Sequence, residues 1–297
     1  MTGTPELVDP TTQYPVPEFD QGAQPGPGQA WGMDPKPDHG EESYRGSGKL
    51  TGRRALVTGG DSGIGRAAAI AFAREGADVA ISYLPEEETD AAEVIALIEA
   101  AGVKALALPG DIKDEALCTS LVEKTVEAFG GIDVLVNNAG KQQARESLLD
   151  ITTQQLDDTY KTNVYAMFWI TKAALPHLPA GSSIINTTSV QAFQPSPTLV
   201  DYASTKAAIN NFTKGLAAQV APKGIRVNAV APGPVWTPLQ PAGGQPEEAL
   251  PTFGEQTPLG RPGQPAEYGA AYVHLASNDS SYTTGSTLSI TGGMPTP

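Results

Sequence analysis

The chain has 297 residues and a formal net charge of −14, with 33 acidic side chains against 19 Lys and Arg. This excess of acid argues against a nucleic-acid backbone or an anionic membrane as partner, because both attract basic surfaces. No apolar run approaches the roughly 20 residues that a bilayer-spanning helix needs, and the first 20 residues do not have the composition of a secretory signal. Because the single Cys118 cannot form an internal disulfide, we expect a cytoplasmic protein.

The first 48 residues differ in composition from the rest of the chain, since they contain 8 Pro and 8 Gly. Such a composition cannot bury enough apolar surface to fold alone, which predicts an extended or disordered arm over residues 1–48. Several aromatic and apolar side chains nevertheless favour contact of this arm with the domain or with a neighbouring subunit: Tyr14, Phe19, Trp31, Met33 and Tyr44.

From Arg53 onward, short apolar runs alternate with helical patterns. Strands are predicted at 55–57, 79–83, 104–108 and 134–136, with helices at 64–75, 87–101 and 115–129. The second half predicts a helix at 156–175, a strand at 183–188, a helix ending near 220, a strand at 225–230, a helix at 266–276 and a strand near 287–290. This alternation predicts an α/β fold, a Rossmann-like doubly wound parallel sheet with helices on both faces, in a single domain over residues 49–297.

A glycine-rich turn, Thr58-Gly59-Gly60-Asp61-Ser62-Gly63-Ile64-Gly65, follows the first predicted strand. Glycine permits positive φ and lets backbone N–H groups approach a pyrophosphate at the positive end of the next helix. An acid at the end of the second strand would favour NAD, but Tyr83 stands there. An NADP site would want a base in the turn, where Asp61 stands, and the direction of the nearby Arg66 is not fixed. The cofactor is therefore NAD or NADP, with the choice open.

Tyr202 and Lys206 are four residues apart, so on a helix their side chains share one face. An ammonium fixed beside a phenol stabilises the ionised phenol, which makes Tyr202 a candidate acid/base near neutral pH.

The region from about Lys49 to Gly293 resembles the classical short-chain dehydrogenase/reductase family. The resemblance depends on the glycine turn, on Asn137-Asn138-Ala139-Gly140, on the positions of four polar residues and on Pro232-Gly233, all in the family's order. The long arm and the segments GGDSGIGRA and SYLPEEE are most similar to the glucose/ribitol-dehydrogenase-like, stress-associated branch.

The resemblance implies a site and a role for each residue. Tyr202 would be the general acid/base, Lys206 would lower its pKa and bind the nicotinamide ribose, and Ser189 would orient the substrate oxygen. Asn163 would position a water that links Lys206 to solvent. Cofactor contacts would come from the two helical residues Tyr202 and Lys206 and from the loops after the strands: Gly59, Asp61, Ser62, Gly63, Ile64, Gly65, Tyr83, Asp111, Ile112, Asn137, Ala139, Gly140, Pro232, Gly233, Val235 and Thr237. No metal is expected, since the three His residues fit no metal-ligand spacing.

The Pro/Gly-rich segment 236–265 is a candidate substrate lid. Residues predicted to border the substrate pocket are Lys141, Gln142, Gln143, Gln191, Phe193 and Trp236, a polar and aromatic set that suits a sugar, a polyol or a small aldehyde.

The implied activity is hydride transfer between a nicotinamide and an alcohol or carbonyl substrate, by an NAD(P)-dependent oxidoreductase acting on CH–OH groups. The resemblance also implies a homotetramer packed through long helices. Two alternatives stay open: a 3-oxoacyl-thioester reductase, which would want a basic surface for an acidic carrier, and a non-catalytic dinucleotide-binding stress protein. A small-molecule substrate is expected, with no nucleic-acid or membrane partner.

Overall fold

A computed structural model, which describes residues 7–296, contains one parallel sheet of seven strands in the order β3-β2-β1-β4-β5-β6-β7. The strands are β1 (Arg54–Thr58), β2 (Asp78–Tyr83), β3 (Ala105–Pro109), β4 (Val134–Asn137), β5 (Ser183–Thr187), β6 (Arg226–Pro232) and β7 (Thr287–Ile290). From β1 the order runs through β2 to β3 at one edge, and from β4 it runs through β5 and β6 to β7 at the other edge. The strand order therefore reverses between β1 and β4. The predictions for residues 1–6 and 297 lie outside the described residues.

Helices cover both faces of this sheet. They are α1 (Gly63–Arg74), α2 (Glu88–Ala100), α3 (Glu115–Phe129), α4 (Thr153–Tyr160), α5 (Ala166–Ala174), α6 (Val200–Val220) and α7 (Ala266–Ala276). One apolar core joins the sheet to α1, α2 and α7, and a second joins it to α3, α5 and α6. The central strands read as continuous apolar runs because both of their faces are buried. The predicted Rossmann-like, doubly wound single domain is confirmed.

The predicted helix 156–175 is present but is not regular. A π-helical turn, Lys161–Tyr165, joins α4 to α5. Such turns insert an extra residue into a helix and occur often at functional sites. Asn163, one of the predicted site residues, lies inside this turn and is buried.

The arm and the segment 236–265 contact each other along their length. The backbone amide of Phe19 donates to Pro251 O at 3.0 Å, and that of Gln24 donates to Pro241 O at 2.9 Å. Four buried side chains from the two segments form a small separate core: Phe19, Met33, Trp236 and Phe253. The described part of the arm is therefore largely extended and packed against the domain, with one short helical turn at Ala30–Gly32.

No helix within residues 7–296 has both the length and the apolar character needed to cross a bilayer.

Candidate active site

A cavity of about 920 Å³ opens at the carboxyl edge of the sheet, over the point where the strand order reverses. Ligands of open α/β sheets bind at this position, because the loops after β1 and β4 diverge there. The cavity brings together most of the predicted cofactor-binding residues: Gly59, Asp61, Ser62, Gly63, Ile64, Tyr83, Asp111, Ile112, Ala139, Gly140, Tyr202, Lys206, Pro232, Gly233, Val235 and Thr237.

The glycine turn is built for close backbone approach. Gly59 and Gly63 have φ of 60° and 50°, a region that side-chain-bearing residues rarely adopt. Gly65 does not line the cavity; a Cβ there would collide with the carbonyl oxygen of Gly59. Gly65 thus lets α1 start directly against the turn, with its N-terminus at the cavity. Together with the cavity's volume, this cradle fits a dinucleotide whose pyrophosphate lies at a helix N-terminus.

The end of β4 is tied to the glycine turn by Thr58 and Asn138. The Thr58 hydroxyl accepts hydrogen bonds from the backbone amides of Asn138 at 2.9 Å and Ala139 at 3.1 Å, and the Asn138 side chain donates to Thr58 O and Gly59 O. Asn137 points the other way, because neighbouring residues of a strand face opposite sides. Its amide donates to Thr171 and Asn186 in the interior.

The Asn137–Asn138 pair therefore differs from the expectation. Asn138 lines the cavity and Asn137 does not. The Asn-Asn doublet in the sequence correctly predicted an asparagine at the cavity. The alternation of side chains along β4 decides which of the two residues faces it.

Tyr202 and Lys206 share one face of α6, as predicted, and both line the cavity. The Lys206 ammonium lies 5.3 Å from the centroid of the Tyr202 ring and donates to Thr187 O at 2.9 Å. Burial raises the pKa of Tyr202 to about 12, although hydrogen bonding with Ser189 acts in the opposite direction. Burial also lowers the pKa of Lys206 to about 8. In this environment desolvation outweighs the expected lowering of the phenol's pKa by the ammonium.

Ser189 follows β5 and faces Tyr202. Its hydroxyl accepts a hydrogen bond from the backbone amide of Gln191 at 3.1 Å, which fixes the side chain at the start of a short helical turn. Ser189, Tyr202 and Lys206 therefore present a hydroxyl, a phenol and an ammonium to one cavity.

Asn163 lies beside these three residues but does not itself line the cavity. Its amide oxygen accepts from the Lys141 backbone amide at 2.7 Å, and its amide nitrogen donates to Lys141 O at 2.9 Å and to Thr205 at 3.0 Å. A Cβ built on Gly140 would lie 3.6 Å from both Asn163 Oδ1 and Lys206 Nζ. Asn163 thus holds the Lys141 backbone next to the Lys206 ammonium.

Two of the predicted substrate-pocket residues are misplaced. Phe193 does not line the cavity, and Trp236 is fully buried between Phe19 and Phe253. Its indole N–H donates to Pro35 O at 2.7 Å. Trp236, which was expected to contact substrate, therefore packs against the arm. Lys141, Gln142, Gln143 and Gln191 do line the cavity.

The arm itself contributes to the cavity wall through Gly26, Pro27 and Gly28. A Cβ at Gly28 would collide with Pro238 O, so a glycine is needed where the arm crosses the segment 236–265. No motif marks these residues, because irregular Pro/Gly sequence carries no periodicity.

Comparisons with known proteins agree with this geometry. A family profile described as enoyl-(acyl carrier protein) reductase matches residues 59–295. Oxidoreductase YhxD of Bacillus subtilis is 58% identical over 98% of both chains. General stress protein 39 of the same species is 53% identical over 94% of this chain and 97% of its own. Glucose and ribitol dehydrogenase of Daucus carota is 46% identical over 90% of this chain and 93% of its own.

A solved short-chain dehydrogenase from Burkholderia cenocepacia J2315, in complex with NADP, superposes with a TM-score of 0.76. It is 39% identical, with 82% of this chain and 98% of that chain covered.

The chain belongs to the short-chain dehydrogenase/reductase family. Within it, the chain is a member of the glucose/ribitol-dehydrogenase-like branch, as the resemblance predicted. The family's cofactors are NAD and NADP, which confirms the predicted cofactor class.

Proposed function

We propose that the protein transfers hydride between a nicotinamide dinucleotide and a hydroxyl-rich alcohol or carbonyl substrate, with Tyr202 as general acid/base. The observation that carries the proposal is the convergence of Ser189, Tyr202 and Lys206 on the same cavity as the glycine turn. A bound nicotinamide would supply or accept the hydride. The protein's own residues then have to orient the substrate oxygen and to move one proton.

In this mechanism Ser189 and Tyr202 hydrogen-bond the substrate oxygen, and the Tyr202 phenol gives its proton to that oxygen as a carbonyl is reduced. The Lys206 ammonium, fixed by Thr187 O, stabilises the phenolate that forms. Asn163 acts indirectly, by holding the Lys141 backbone beside that ammonium. The role of each residue is assigned from its position and chemistry.

The raised pKa of Tyr202 favours one direction. With a pKa near 12 the phenol is protonated at neutral pH, which is the form that reduction of a carbonyl needs. Oxidation of an alcohol needs the phenolate and is therefore favoured by higher pH.

The substrate end of the cavity favours a molecule with several hydroxyl groups. Amide side chains can both donate and accept hydrogen bonds, and seven line the cavity: Gln142, Gln143, Gln191, Gln194, Gln240, Gln245 and Gln256. Five of them already use one amide atom in a bond within the protein, so the other amide atoms are the ones offered to a substrate. A sugar, a polyol or a small hydroxyaldehyde fits this lining. The glucose and ribitol dehydrogenase relative supports the same class, whereas the net charge of −14 disfavours an acidic acyl carrier.

The test is a cofactor-absorbance assay at both neutral and alkaline pH, with NAD(H) and NADP(H), against matched panels. The panels are sugars, polyols, small aldehydes and 3-oxoacyl thioesters. Turnover of a polyhydroxylated substrate supports the proposal. Turnover only of acyl thioesters would favour the reductase alternative, and binding of dinucleotide without turnover of any panel member would favour the non-catalytic one.

We further propose that residues 7–48 act as a clamp on a lid formed by 236–265. Supporting this are the two backbone hydrogen bonds from Phe19 and Gln24 to the lid, the shared core around Trp236 and the cavity wall at Gly26–Gly28. At its root the arm is fixed by neighbouring residues at the end of α1. Glu75 accepts from the Tyr44 hydroxyl and from the backbone amides of Ser47 and Lys49, and the Arg74 guanidinium donates to backbone oxygens of the arm. The lid is thereby held over the cavity.

A homotetramer is proposed on the family resemblance and on three half-exposed apolar side chains in the segment from α4 to α5. Leu156, Tyr165 and Phe168 are 43%, 46% and 49% exposed. Light scattering after gel filtration tests this. A tetramer mass that falls in Phe168→Glu supports the proposal, and a monomer at micromolar concentration overturns it. A cytoplasmic location stays a prediction.

A further inference from the structure

The end of the cavity next to β2 is acidic. The glycine turn is fixed to this strand by a hydrogen bond from the Gly60 backbone amide to Ser82 O at 3.2 Å. This places Asp61 at the end of β2, where it lines the cavity together with Tyr83 and Glu87. The Glu87 carboxylate accepts from the Leu84 backbone amide at 2.9 Å and is thereby held at the same wall.

Asp61 is only 2% exposed, and its Oδ2 atom has no hydrogen-bond partner within residues 7–296. A buried carboxylate oxygen without a partner is costly, so it marks a place where a donor from a ligand would be stabilising. The Tyr83 hydroxyl does not supply this donor, because it bonds to Glu88 at 2.8 Å.

Arg66, the cation that left the cofactor choice open, is held by other acids, although its charge still acts to lower the pKa of Asp61. Its guanidinium bonds to Glu41 on the arm and to Glu93 on α2, both at 3.1 Å. It lines a separate surface cavity together with these two acids and not the main one.

The cations that line the main cavity among the described residues are Lys113, Lys141 and Lys206. They lie after β3, after β4 and on α6, away from the end of β2. Lys113 is in addition neutralised by Asp158 at 3.1 Å and Asp111 at 3.3 Å.

We infer that Asp61 and Glu87 form the wall that meets the 2′ position of the adenosine ribose, and that they select NAD(H) over NADP(H). The inference rests on the proposed function, because it assumes the dinucleotide lies along the glycine turn. A ribose 2′-hydroxyl can donate to the Asp61 carboxylate and satisfy it. A 2′-phosphate offers no donor at neutral pH and brings up to two negative charges to this wall.

The titration of the two acids is governed by burial. Burial, reinforced by the charge of Asp90, raises the pKa of Asp61 to about 6, although hydrogen bonding with Ser62 and the charge of Arg66 act in the opposite direction. Burial and then the charge of Asp61 raise that of Glu87 to about 8. The pair therefore carries about one negative charge at neutral pH and about two at pH 9, which a hydroxyl tolerates and a phosphate does not.

The position of the acid differs from the usual arrangement, in which a carboxylate ends the second strand. Here Tyr83 ends β2, and the carboxylates come from the glycine turn and from the residue before α2. Selection against NADP would also separate the chain from the Burkholderia structural neighbour, which was solved with NADP.

Equilibrium binding to the full-length protein tests the inference without requiring turnover. Dissociation constants of NADH and NADPH are measured by nucleotide fluorescence, and those of ADP-ribose and its 2′-phosphate by competition. We expect the unphosphorylated member of each pair to bind at least about tenfold more tightly. At pH 9, above the raised pKa of both acids, we expect this ratio to fall by at least about threefold in Glu87→Gln and in Asp61→Asn. Glu87→Gln keeps the test decisive if Asp61→Asn does not fold.

Glu99→Gln is the matched control, because Glu99 is an exposed acid on α2 outside the cavity and its replacement changes the net charge equally. Its ratio should equal that of the wild type. Equal or tighter binding of NADPH by the wild-type protein, or an unchanged ratio in Glu87→Gln at pH 9, overturns the inference while the proposed function stands. Binding of neither dinucleotide overturns both.

Discussion

The clamp formed by the arm makes a quantitative prediction at Phe19. This side chain is 5% exposed and its ring lies 4.4 Å from that of Trp236, centroid to centroid. Replacing a packed Phe by Ala costs about 3–5 kcal/mol. Since the arm lies at the surface of the fold, we take the lower figure, about 3 kcal/mol. At 1.4 kcal/mol for each factor of ten, Phe19→Ala should raise the equilibrium population of the undocked arm about 100-fold.

This loss should appear as local opening and not as global unfolding, because the two large cores lie elsewhere. The assay is amide hydrogen exchange at Phe19 and Gln24, whose N–H groups donate to the lid. Their protection should fall about 100-fold, while amides in β1 and β4 keep theirs. The dinucleotide should also dissociate faster, since Gly26–Gly28 form part of the cavity wall.

Val16→Ala is the control, because Val16 lies in the same arm but is 49% exposed; it should change exchange by less than about threefold. Unchanged protection at Phe19 and Gln24 in Phe19→Ala would refute the reasoning, since it would show that the aromatic contact does not hold the arm.

Two further predictions concern pH. Because burial raises the pKa of Tyr202 to about 12, the phenolate fraction grows with pH, so alcohol oxidation should accelerate as the pH rises from 7 to 8 while carbonyl reduction does not. The prediction stops there because the pKa of Lys206 is lowered to about 8, and above it the ammonium that stabilises the phenolate is lost. An oxidation rate that is flat over this range contradicts the assignment. Burial alone would raise the pKa of Asp133, but its hydrogen bonds with Arg54, at 2.8 and 2.9 Å, lower it. The stabilisation is therefore complete above the ordinary Asp pKa near 4 and is lost as the pH falls through the lowered value. Asp133→Asn should cost about 1–2 kcal/mol at pH 7, with the gap in thermal midpoint to wild type closing toward pH 3; a gap that is independent of pH would show that the ion pair is not its cause.

Regular elements could be predicted from the sequence because their signals are local. The bounds predicted for α3 and α7 are those observed, since each helix lies between clear capping or turn residues and has a periodic apolar face. The π-helical turn at Lys161–Tyr165 could not be predicted this way. One extra residue inside a helix barely disturbs its apolar pattern, and the hydrogen bonds that accompany the turn join Asn163 to Lys141 in a loop 22 residues away.

Site residues could be predicted where a sequence motif identifies the residue and the order of strands places it at the edge of the sheet. The glycine turn and the Tyr202–Lys206 pair are examples, because a parallel sheet brings all strand ends to one edge. Trp236 was placed wrongly since its partners, Phe19 and Pro35, lie more than 200 residues away in the arm. The raised pKa of Tyr202 could not be predicted from the sequence either, because it depends mainly on the burial of the side chain and not on the spacing of Tyr and Lys.

The central claim is that Tyr202 exchanges the proton, and Tyr202→Phe tests it most directly. Tyr160→Phe is the control: it removes a hydroxyl that bonds to Ser204 outside the cavity. We predict that kcat for carbonyl reduction falls by a factor of about 10²–10⁴ in Tyr202→Phe, with the dissociation constant of the dinucleotide unchanged, and that Tyr160→Phe keeps wild-type kcat. A Tyr202→Phe enzyme within a factor of about three of wild-type kcat would contradict the account.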